Sequence, residues 1–403
     1  MTIKLRGAAA GLAFLGSIGA AQAQISDGVV KVGVLTDLSG IYSQIAGEGS
    51  VAAARLAIDD CLKAECTGMK IELLSADHQN KADIASSKAR EWLDVQKVDA
   101  LVDNVNASVQ LAIHTLVKEV NSVALTPGGT SRLTNENCAP ENAVQWMWDT
   151  YSQVAGVAEA LTTPGSTWYF LTADYAFGHQ LEKDATAIIQ AKGGKIQGAL
   201  RHPFNNADFS SFLLQAQASG ANVIALANAG ADSTNSIKQA KEFGFGDKQK
   251  MVAFLLMLPD IHALGLDVAK NTILTEGFYW DVDDGTRAFS KRFEAIYKKG
   301  KPSQIHAGVY SSVRHYLKAV AFGKTDNPKA VIRKMHELPI SDDVVRNPRL
   351  RPDGRMVHDT YLLRVKTPAE SKGPYDYYQV LEVIPGDKAF KPLKDSLCAD
   401  LKK

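Results

Sequence analysis

The segment VALTPGGTSRLT, residues 123–134, combines residue types that can hold an anion. Gly128 and Gly129 carry no Cβ, so a ligand can approach their backbone N–H groups closely, and the hydroxyls of Thr130 and Ser131 follow directly. The residues before them are typical of a strand. The segment therefore predicts a strand that ends in an anion-binding turn. The alternative is an ordinary strand-ending turn, because glycine and proline are common in such turns.

The sequence carries no complete motif of the common enzyme classes. It lacks the G-x-S-x-G segment of a serine nucleophile. The Gly-Lys-Thr at 323–325 has Lys318 where a phosphate-binding loop needs glycine, and His336-Glu337 is not followed by the second histidine of a zinc protease. We therefore predict no catalytic residues, no metal and no cofactor. A Ser/His/Asp arrangement assembled from distant residues leaves a secreted hydrolase open.

One segment loosely fits the glycine pattern of dinucleotide-binding proteins. It reads Gly47-x-Gly49-x-x-Ala52, with Glu72 at the position of the acidic residue in that pattern. The pattern requires its glycines in a tight turn directly after the first strand, whereas the strand predicted here ends at Leu35. These small residues are better explained by a helix that begins close to a sheet.

Residues 1–23 have the pattern of a bacterial signal peptide. Two basic residues precede a short apolar stretch at 8–18, and residues 21–23 form an A-x-A cleavage sequence. The stretch is too short and too rich in glycine and alanine for a transmembrane helix, although a membrane anchor is the alternative. We predict cleavage after Ala23 and export to the periplasm.

The composition is that of an ordinary globular protein. The chain has 403 residues, of which 45% are hydrophobic and 22% charged, with a formal net charge of +1. Nucleic-acid-binding proteins gather a basic excess on one face, so we expect no nucleic-acid partner. The length exceeds what one hydrophobic core usually supports, which favours two domains.

Four cysteines remain after the signal peptide: Cys61, Cys66, Cys138 and Cys398. Export to an oxidising compartment favours disulfides, and four cysteines allow three pairings. Cys61 and Cys66 flank a short turn after a predicted helix, so we expect these two to pair and Cys138 to pair with Cys398. A metal site is the alternative, but a C-x4-C pair with two distant single cysteines matches no common zinc pattern.

Apolar periodicity predicts strands that alternate with helices. The predicted strands are 29–35, 70–75, 99–102, 122–126, 167–172, 195–204, 223–226 and 251–256. The predicted helices between them are 51–62, 83–95, 109–120, 154–161, 180–191, 209–218 and 237–243. After residues 271–280 come three mostly helical segments at 287–298, 305–322 and 328–337, and two extended stretches are predicted at 356–366 and 375–384. This order predicts an α/β protein with two doubly wound parallel-sheet lobes and a boundary near residue 149.

Open parallel sheets bind ligands at the carboxyl ends of their strands, where loops and helix N-termini supply N–H donors. In the first lobe these loops are 36–49, 76–81, 103–108 and 126–131. The two-glycine turn lies in the last of them, which favours a binding function for it.

Four segments together resemble the leucine/isoleucine/valine-binding protein family. They are VKVGVLTDLSGIYSQIAGEGSVAAARLAIDD, IELLSADHQNKAD, VALTPGGTSRLT and WYFLTADYAFGHQLEKD. These proteins are type I periplasmic solute-binding proteins of ATP-driven importers. The resemblance runs from about residue 29 to about residue 384.

The resemblance implies two lobes, joined by a three-crossover hinge, that close on a small solute and dock on an inner-membrane ABC permease. With the boundary near 149, lobe 1 would comprise 24–148 plus about 284–350, and lobe 2 would comprise 149–280 plus about 355–385. A tail at 386–403 would be tied by Cys398. We expect a monomer. A sensory binding module is a further alternative.

In this family two turns of the first lobe typically hold the carboxylate of the ligand. The matching positions here are Asn106, Ala107 and Ser108 on one turn and Gly128, Gly129 and Thr130 on the other. Neutral N–H and hydroxyl donors at a helix start suit a carboxylate.

The second lobe departs from the amino-acid-binding pattern, which needs a carboxylate for the ammonium group of the ligand. The turn that contains Met257 offers no acid before Asp260, and the turn that contains Asn228 offers only Asp232. Unless Asp232 reaches the site, a zwitterionic amino acid would leave a buried charge unpaired. Asn228 and Met257 are the second-lobe turn residues that we assign to the site.

Aromatic residues crowd the predicted cleft, as in many small-molecule pockets. Those assigned to the site are Tyr42, Trp148, Tyr175, Phe177 and Trp280, with Trp146 and Tyr279 beside them. We therefore predict a small carboxylate-bearing solute, with an aromatic acid favoured over a short aliphatic acid or amide. A branched-chain amino acid is the alternative.

Overall fold

A five-stranded parallel sheet forms the centre of the first lobe in the computed structural model, which describes residues 25–246 and 249–402. The signal peptide and the cleavage predicted after Ala23 lie outside the described residues. The strands, arranged β2-β1-β3-β4-β5, are β1 (Val30–Thr36), β2 (Ile71–Asp77), β3 (Ala100–Asp103), β4 (Val123–Gly129) and β5 (Ala143–Asp149). The connecting helices are α1 (Gly47–Leu62), α2 (Ala82–Glu91) and α3 (Ala107–Val120), with a π-helical turn at Trp92–Gln96 and a 3-10 turn at Ser131–Thr134. Strands β3, β4 and β5 are buried throughout, as expected for a parallel sheet covered on both faces.

A four-stranded parallel sheet, arranged β7-β6-β8-β9, forms the centre of the second lobe. Its strands are β6 (Thr167–Ala173), β7 (Lys195–His202), β8 (Val223–Ala227) and β9 (Lys250–Ala253). The helices around it are α4 (Thr150–Leu161), α5 (Ala176–Ala191), α6 (Ser210–Ala218), α7 (Ala231–Glu242), α8 (Leu258–Leu264) and α9 (Leu266–Ala269). The predicted α/β class and the two-lobe architecture are confirmed.

The last part of the chain returns to both lobes. The strands are β10 (Ile273–Glu276), β11 (Arg349–Leu350), β12 (Met356–Val357), β13 (Thr360–Val365) and β14 (Tyr378–Ile384); β10, β13 and β14 form an antiparallel sheet. The helices are α10 (Asp284–Ile296), α11 (Gln304–Gly323), α12 (Pro328–Glu337) and α13 (Gly386–Ala389), followed by 3-10 turns at Leu393–Asp395 and Ala399–Lys402. Helix α11 packs against α1 and β4, whereas β10 packs against α4. The residue limits that we gave for the two lobes stay a prediction.

Strand β5 is missing from our prediction, which has no element between the strand at 122–126 and the helix at 154–161. Residues 354–358 cover the free edge of this strand. The buried guanidinium group of Arg355 donates to the carbonyl oxygens of Trp148 at 2.9 Å and Trp146 at 3.1 Å, and His358 Nε2 lies 2.7 Å from the carbonyl oxygen of Met147. The backbone that carries Trp148 is therefore held from both sides.

Both predicted disulfides are present, between Cys61 and Cys66 and between Cys138 and Cys398. The second joins the C-terminal tail to the first lobe. Next to it, the Leu397 N–H donates to Asn135 Oδ1 at 2.7 Å. In the described part of the chain, we find no helix long and apolar enough to cross a membrane.

Candidate functional site

A cavity of about 20 Å³ lies between the two lobes at the carboxyl ends of their parallel strands. Of the predicted site residues, it is lined by Tyr42, Asn106, Ala107, Gly128, Gly129, Trp148, Tyr175 and Phe177. Its wall is completed by Ile45, Val105, Gln110, Ala229, Leu255 and Ile305, which we did not predict. The fold thus brings most of the predicted residues together. Their contacts with a ligand stay a prediction.

Two predicted residues of the first lobe lie just outside this wall. The N–H of Ser108 donates to the side chain of Asn106 at 2.9 Å. Thr130 is buried, and its hydroxyl accepts the N–H of Arg132 at 3.4 Å. Both residues therefore take part in bonds that shape their own turns.

Three predicted residues of the second lobe also lie outside the cavity wall. The side-chain oxygen of Asn228 accepts the Ser233 hydroxyl at 2.7 Å. Met257 is completely buried in the core at the start of α8. The Trp280 indole N–H donates to the carbonyl oxygen of Tyr375 at 2.8 Å. The hydrogen-bonding groups of Asn228 and Trp280 are therefore engaged with their own surroundings.

The placement of Trp146 and Tyr279 in the cleft is wrong. The Trp146 indole N–H donates to Ser311 Oγ at 2.7 Å inside the first lobe, and the Tyr279 hydroxyl donates to the carbonyl oxygen of Tyr375 at 3.2 Å. Both rings are buried in hydrophobic cores. Each polar atom has found its partner inside the fold, so these residues stabilise the lobes rather than line the cavity.

The two-glycine turn is held by Gln110, a residue of α3. Its Nε2 donates to the carbonyl oxygen of Gly128 at 2.6 Å, and its Oε1 accepts the Thr130 N–H at 3.4 Å. A Cβ at Gly129 would lie 1.9 Å from Gln110 Oε1, and one at Gly128 would lie 2.0 Å from Trp148 Nε1. The glycines are therefore required by the close packing of two cavity-lining side chains. Nothing in the sequence marks Gln110 among the residues of its helix.

The N-terminus of α3 is capped by a residue that we assigned to the ligand. Asn106 has a φ of +118°, and its Oδ1 accepts the N–H groups of Ser108 at 2.9 Å and Val109 at 3.3 Å. The N–H of Ala107 has no hydrogen-bond partner among the described residues. The helix start therefore offers fewer free donors than the resemblance implied.

Trp148 supplies a further free donor. The residue is 3% exposed, and its indole nitrogen has no hydrogen-bond partner within 25–246 and 249–402. Phe177 meets the indole ring edge-on at a centroid distance of 6.3 Å. A buried donor without a partner costs about 1–3 kcal/mol, so an acceptor atom in the cavity would be stabilised there.

The two lobes touch at the cavity. The hydroxyls of Tyr42 in the first lobe and Tyr175 in the second are hydrogen-bonded, and the ring of Phe204 packs 4.9 Å from that of Tyr175. Burial raises the pKa of both tyrosines, which keeps their hydroxyls neutral. Gly230 of the second lobe lies so close to the first lobe that a Cβ at this position would be 2.6 Å from the carbonyl oxygen of Ile41. The lobes are therefore closed on each other.

No charged side chain lines the cavity among the residues that the structure describes. Asp232, the acid considered for an ammonium group, is buried nearby and accepts the N–H groups of Asn205 at 3.1 Å and Asn206 at 2.8 Å. Burial raises its pKa to about 6. Its negative charge nevertheless contributes to the raised pKa of both Tyr42 and Tyr175. Asp232 therefore lies outside the cavity wall, and its charge acts on the two phenols.

The turn that follows the glycines is also joined to the second lobe. The Ser131 hydroxyl donates to Asp184 Oδ2 at 2.8 Å, and the Thr150 hydroxyl donates to the same oxygen at 2.6 Å. The carboxylate is buried, which raises its pKa to about 6, and Gln180 Nε2 donates to its other oxygen at 2.8 Å. Asp184 thus links the first-lobe turn, the start of α4 and helix α5.

The chain matches a known family and several solved structures. The sequence profile of the family described as periplasmic binding protein matches residues 29–374. A periplasmic binding protein from Burkholderia mallei is 43% identical; the match covers 93% of this chain and 99% of that one, with a TM-score of 0.89. A branched chain amino acid ABC transporter periplasmic ligand-binding protein from Burkholderia xenovorans LB400 is 39% identical, with coverages of 92% and 99% and a TM-score of 0.80.

A solute-binding protein of an ABC transporter from R. palustris, in complex with benzoate, is 18% identical. The match covers 92% of this chain and 100% of that one with a TM-score of 0.79, and at this identity the likeness is one of fold. No curated protein matches the chain.

Proposed function

The chain belongs to the periplasmic binding protein family of ABC transporter solute-binding proteins, and we propose that it captures a small carboxylate-bearing solute between its lobes. Delivery would be to an inner-membrane permease. We further propose that the protein acts as a monomer without catalysis, in the periplasm after cleavage following Ala23. The lobe limits of 24–148 plus 284–350 and 149–280 plus 355–385 are part of the same proposal.

One observation supports the choice of a carboxylate: the cavity offers free hydrogen-bond donors, whereas no charged side chain lines it among the described residues. The indole N–H of Trp148 is buried without a partner, and the Ala107 N–H at the start of α3 is also free among the described residues. Neither a lysine nor an arginine lines the wall within the described ranges. Neutral donors at a helix N-terminus stabilise an anionic oxygen. We assign the carboxylate of the solute to this end of the cavity.

Aromatic rings favour an aromatic acid over an aliphatic one. Tyr42, Trp148, Tyr175 and Phe177 line the cavity, and such rings offer flat apolar area to a planar solute. The closed cavity of about 20 Å³ has room for about one water molecule. An aromatic acid would therefore bind with the Tyr42–Tyr175 contact opened, and its ring would lie between the two lobes.

A branched-chain amino acid is the second candidate, because of Asp232. This carboxylate is close enough to influence the pKa of both phenols, and the relative from B. xenovorans is described as a branched chain amino acid transporter component. Binding an ammonium group would require Asp232 to exchange its bonds with Asn205 and Asn206 for the solute. That exchange costs charge-assisted hydrogen bonds, so we favour the acid without an ammonium group.

A thermal-shift panel on the chain from Gln24 onward tests the proposal. It compares benzoate, 4-hydroxybenzoate, propionate, leucine, leucinamide and glucose. A ligand at 100 times its Kd adds about 2.7 kcal/mol of stability. Stabilisation by benzoates alone supports the aromatic acid, and stabilisation by leucine supports the second candidate. Stabilisation by glucose or leucinamide, which lack a carboxylate, would overturn the carboxylate assignment.

A further inference from the structure

We infer that Asp37 is a positioning residue of the solute site, which holds the loop that carries Tyr42 and, through Asn80, the turn that carries Asn106. The inference rests on the proposed function, because it assumes that the cavity between the lobes is the solute site. Asp37 itself does not line that cavity. It acts through two residues that do.

The contacts of Asp37 join two separate loops. The residue directly follows β1 and is completely buried. Its Oδ1 accepts the N–H of Gly40 at 2.6 Å, and its Oδ2 accepts the N–H of Tyr42 at 2.9 Å. Asn80, in the loop after β2, donates its Nδ2 to the same Oδ2 at 2.7 Å. One carboxylate therefore satisfies three donors and fixes the backbone of Tyr42.

Asn80 carries the connection onward to the helix start. It has a φ of +56°, and its N–H is accepted by His78 Nδ1 at 3.0 Å. Burial lowers the pKa of His78 to about 4, so its ring is neutral at pH 7 and can accept. The Oδ1 of Asn80 accepts Asn106 Nδ2 at 3.5 Å, and Asn106 caps α3. Asp37, Asn80 and Asn106 thus form a continuous chain of side chains.

The loop around Asp37 is packed too tightly for an alternative arrangement. A Cβ at Gly40 would lie 2.8 Å from both carboxylate oxygens and 2.7 Å from Asn80 Nδ2. An amide at position 37 has one acceptor oxygen in place of two, and its NH2 group would face the donors of Gly40 or of Tyr42 and Asn80. Asp37→Asn keeps the size of the side chain, loses the bonds on the side that its NH2 group faces, and sets that group against a donor.

The first test needs no solute: hydrogen–deuterium exchange of the full chain. In Asp37→Asn we expect faster exchange in peptides that cover 40–46 and in those that cover 105–110. Asp77→Asn is the matched control, because Asp77 accepts Ser39 Oγ at 2.6 Å and the Gln79 N–H at 2.7 Å in the same two loops without touching Tyr42. Unchanged exchange at 105–110 in Asp37→Asn would overturn the connection.

The second test measures binding of benzoate and leucine by calorimetry. For whichever probe binds the wild type, Asp37→Asn should raise the Kd about ten-fold, the effect expected from losing hydrogen bonds to a charged group, and Asp77→Asn less than two-fold. In a Tyr42→Ala background the effect of Asp37→Asn should shrink, because the two residues act through one loop. Full additivity, or an unchanged Kd in Asp37→Asn, would overturn the inference.

Two outcomes separate this inference from the proposed function. If neither probe binds the wild type, the carboxylate proposal fails and the exchange experiment alone decides the role of Asp37. If Asp37→Asn does not fold, Asn80→Gly replaces it, since glycine keeps the positive φ and removes the link. Asn80→Gly should speed hydrogen exchange in peptides that cover 105–110. A normal exchange rate there would contradict the inference.

Discussion

Tyr42 and Tyr175 form a hydrogen bond that joins the two lobes across the cavity; Tyr42 is buried and Tyr175 is half-buried. Because each hydroxyl belongs to a different lobe, this bond can form only when the lobes are closed. It therefore contributes to the closed state and not to the folding of either lobe. Opening of the cleft for a solute separates these two atoms.

Tyr175→Phe should shift the protein without solute toward the open state. One hydrogen bond contributes about 0.5–1.5 kcal/mol, so the ratio of closed to open molecules should fall by a factor of about 2–10. Energy transfer between fluorophores on the two lobes measures this ratio. Tyr169→Phe is the control, since Tyr169 lies on β6 of the second lobe and does not line the cavity. Equal closure in wild type and Tyr175→Phe would show that the bond does not hold the lobes.

Gly230→Ala should prevent full closure. The added Cβ would lie 2.6 Å from the carbonyl oxygen of Ile41 in the other lobe, which is closer than atoms can approach. Gly265→Ala is the matched control, because Gly265 also has a positive φ, +77°, but a Cβ there meets nothing within 4 Å. Both variants should lose thermal stability through backbone strain. Only Gly230→Ala should lower the energy transfer in the protein without solute; equal effects of the two variants would assign the loss to strain alone.

Trp148→Phe should weaken binding of a carboxylate solute about ten-fold or more. The variant keeps an aromatic ring but removes the buried indole N–H, and a hydrogen bond to a charged group contributes about 1.5–3 kcal/mol. Calorimetric titration with benzoate measures the change. Trp146→Phe removes an indole N–H that is bonded to Ser311 in the core. Trp146→Phe should lower the melting temperature and leave the Kd for benzoate unchanged. If both variants lose affinity equally, the loss does not come from the Trp148 N–H, and Trp148 is not part of the site.

The strand-end loops could be predicted from the sequence because their positions follow from the fold class. Once strands and helices alternate, parallel strands must carry their loops at one edge, which brings Tyr42, Asn106 and Gly128 together. Cysteine spacing likewise predicted both disulfides, since a short turn after a helix can join Cys61 and Cys66. These predictions depend on the order of elements along the chain and need no knowledge of side-chain directions.

Side-chain directions account for what the sequence could not predict. Trp146 and Trp148 lie two residues apart on β5, yet one indole N–H bonds inside the first lobe and the other is free at the cavity. Gln110 lies in the first turn of α3, and its contact with the two-glycine turn depends on tertiary packing. Asn106 uses its side chain to cap its own helix, a local bond that competes with any ligand.

Asp260→Asn should become more stable relative to wild type as the pH rises from about 4 to about 7. Burial raises the pKa of Asp260 to about 7, whereas an aspartate in an unfolded chain titrates near 4. Between these values the folded protein keeps a proton that the unfolded chain releases, so the wild-type free energy of unfolding falls by up to about 1.4 kcal/mol per pH unit. The variant lacks this dependence.

Urea unfolding at pH 4.5 and 7.5 measures the difference between Asp260→Asn and wild type. Asp267→Asn, at an exposed position, serves as the control and should differ from wild type equally at both values. The Met257 N–H donates to Asp260 Oδ2 at 2.9 Å. Weakening of this bond in the variant changes its free energy of unfolding by the same amount at every pH and so does not alter the dependence on pH. A difference that stays constant with pH would show that Asp260 titrates normally.

Removal of the Cys138–Cys398 disulfide should cost more stability than removal of the Cys61–Cys66 disulfide. The first closes a loop with a sequence separation of 260 and the second one of 5. In the chain-entropy account the cost grows with the logarithm of loop length, which gives about 5.6 kcal/mol for the long loop and about 2 kcal/mol for the short one. Replacing both cysteines of each pair with serine and measuring urea unfolding tests this order. The tail keeps noncovalent contacts, among them the Leu397 N–H bond to Asn135 and the 2.6 Å ion pair of Lys118 with Asp400, so the Cys138→Ser/Cys398→Ser protein should still fold. A smaller loss of stability for the long loop than for the short one would contradict this account and show that loop length does not set the order.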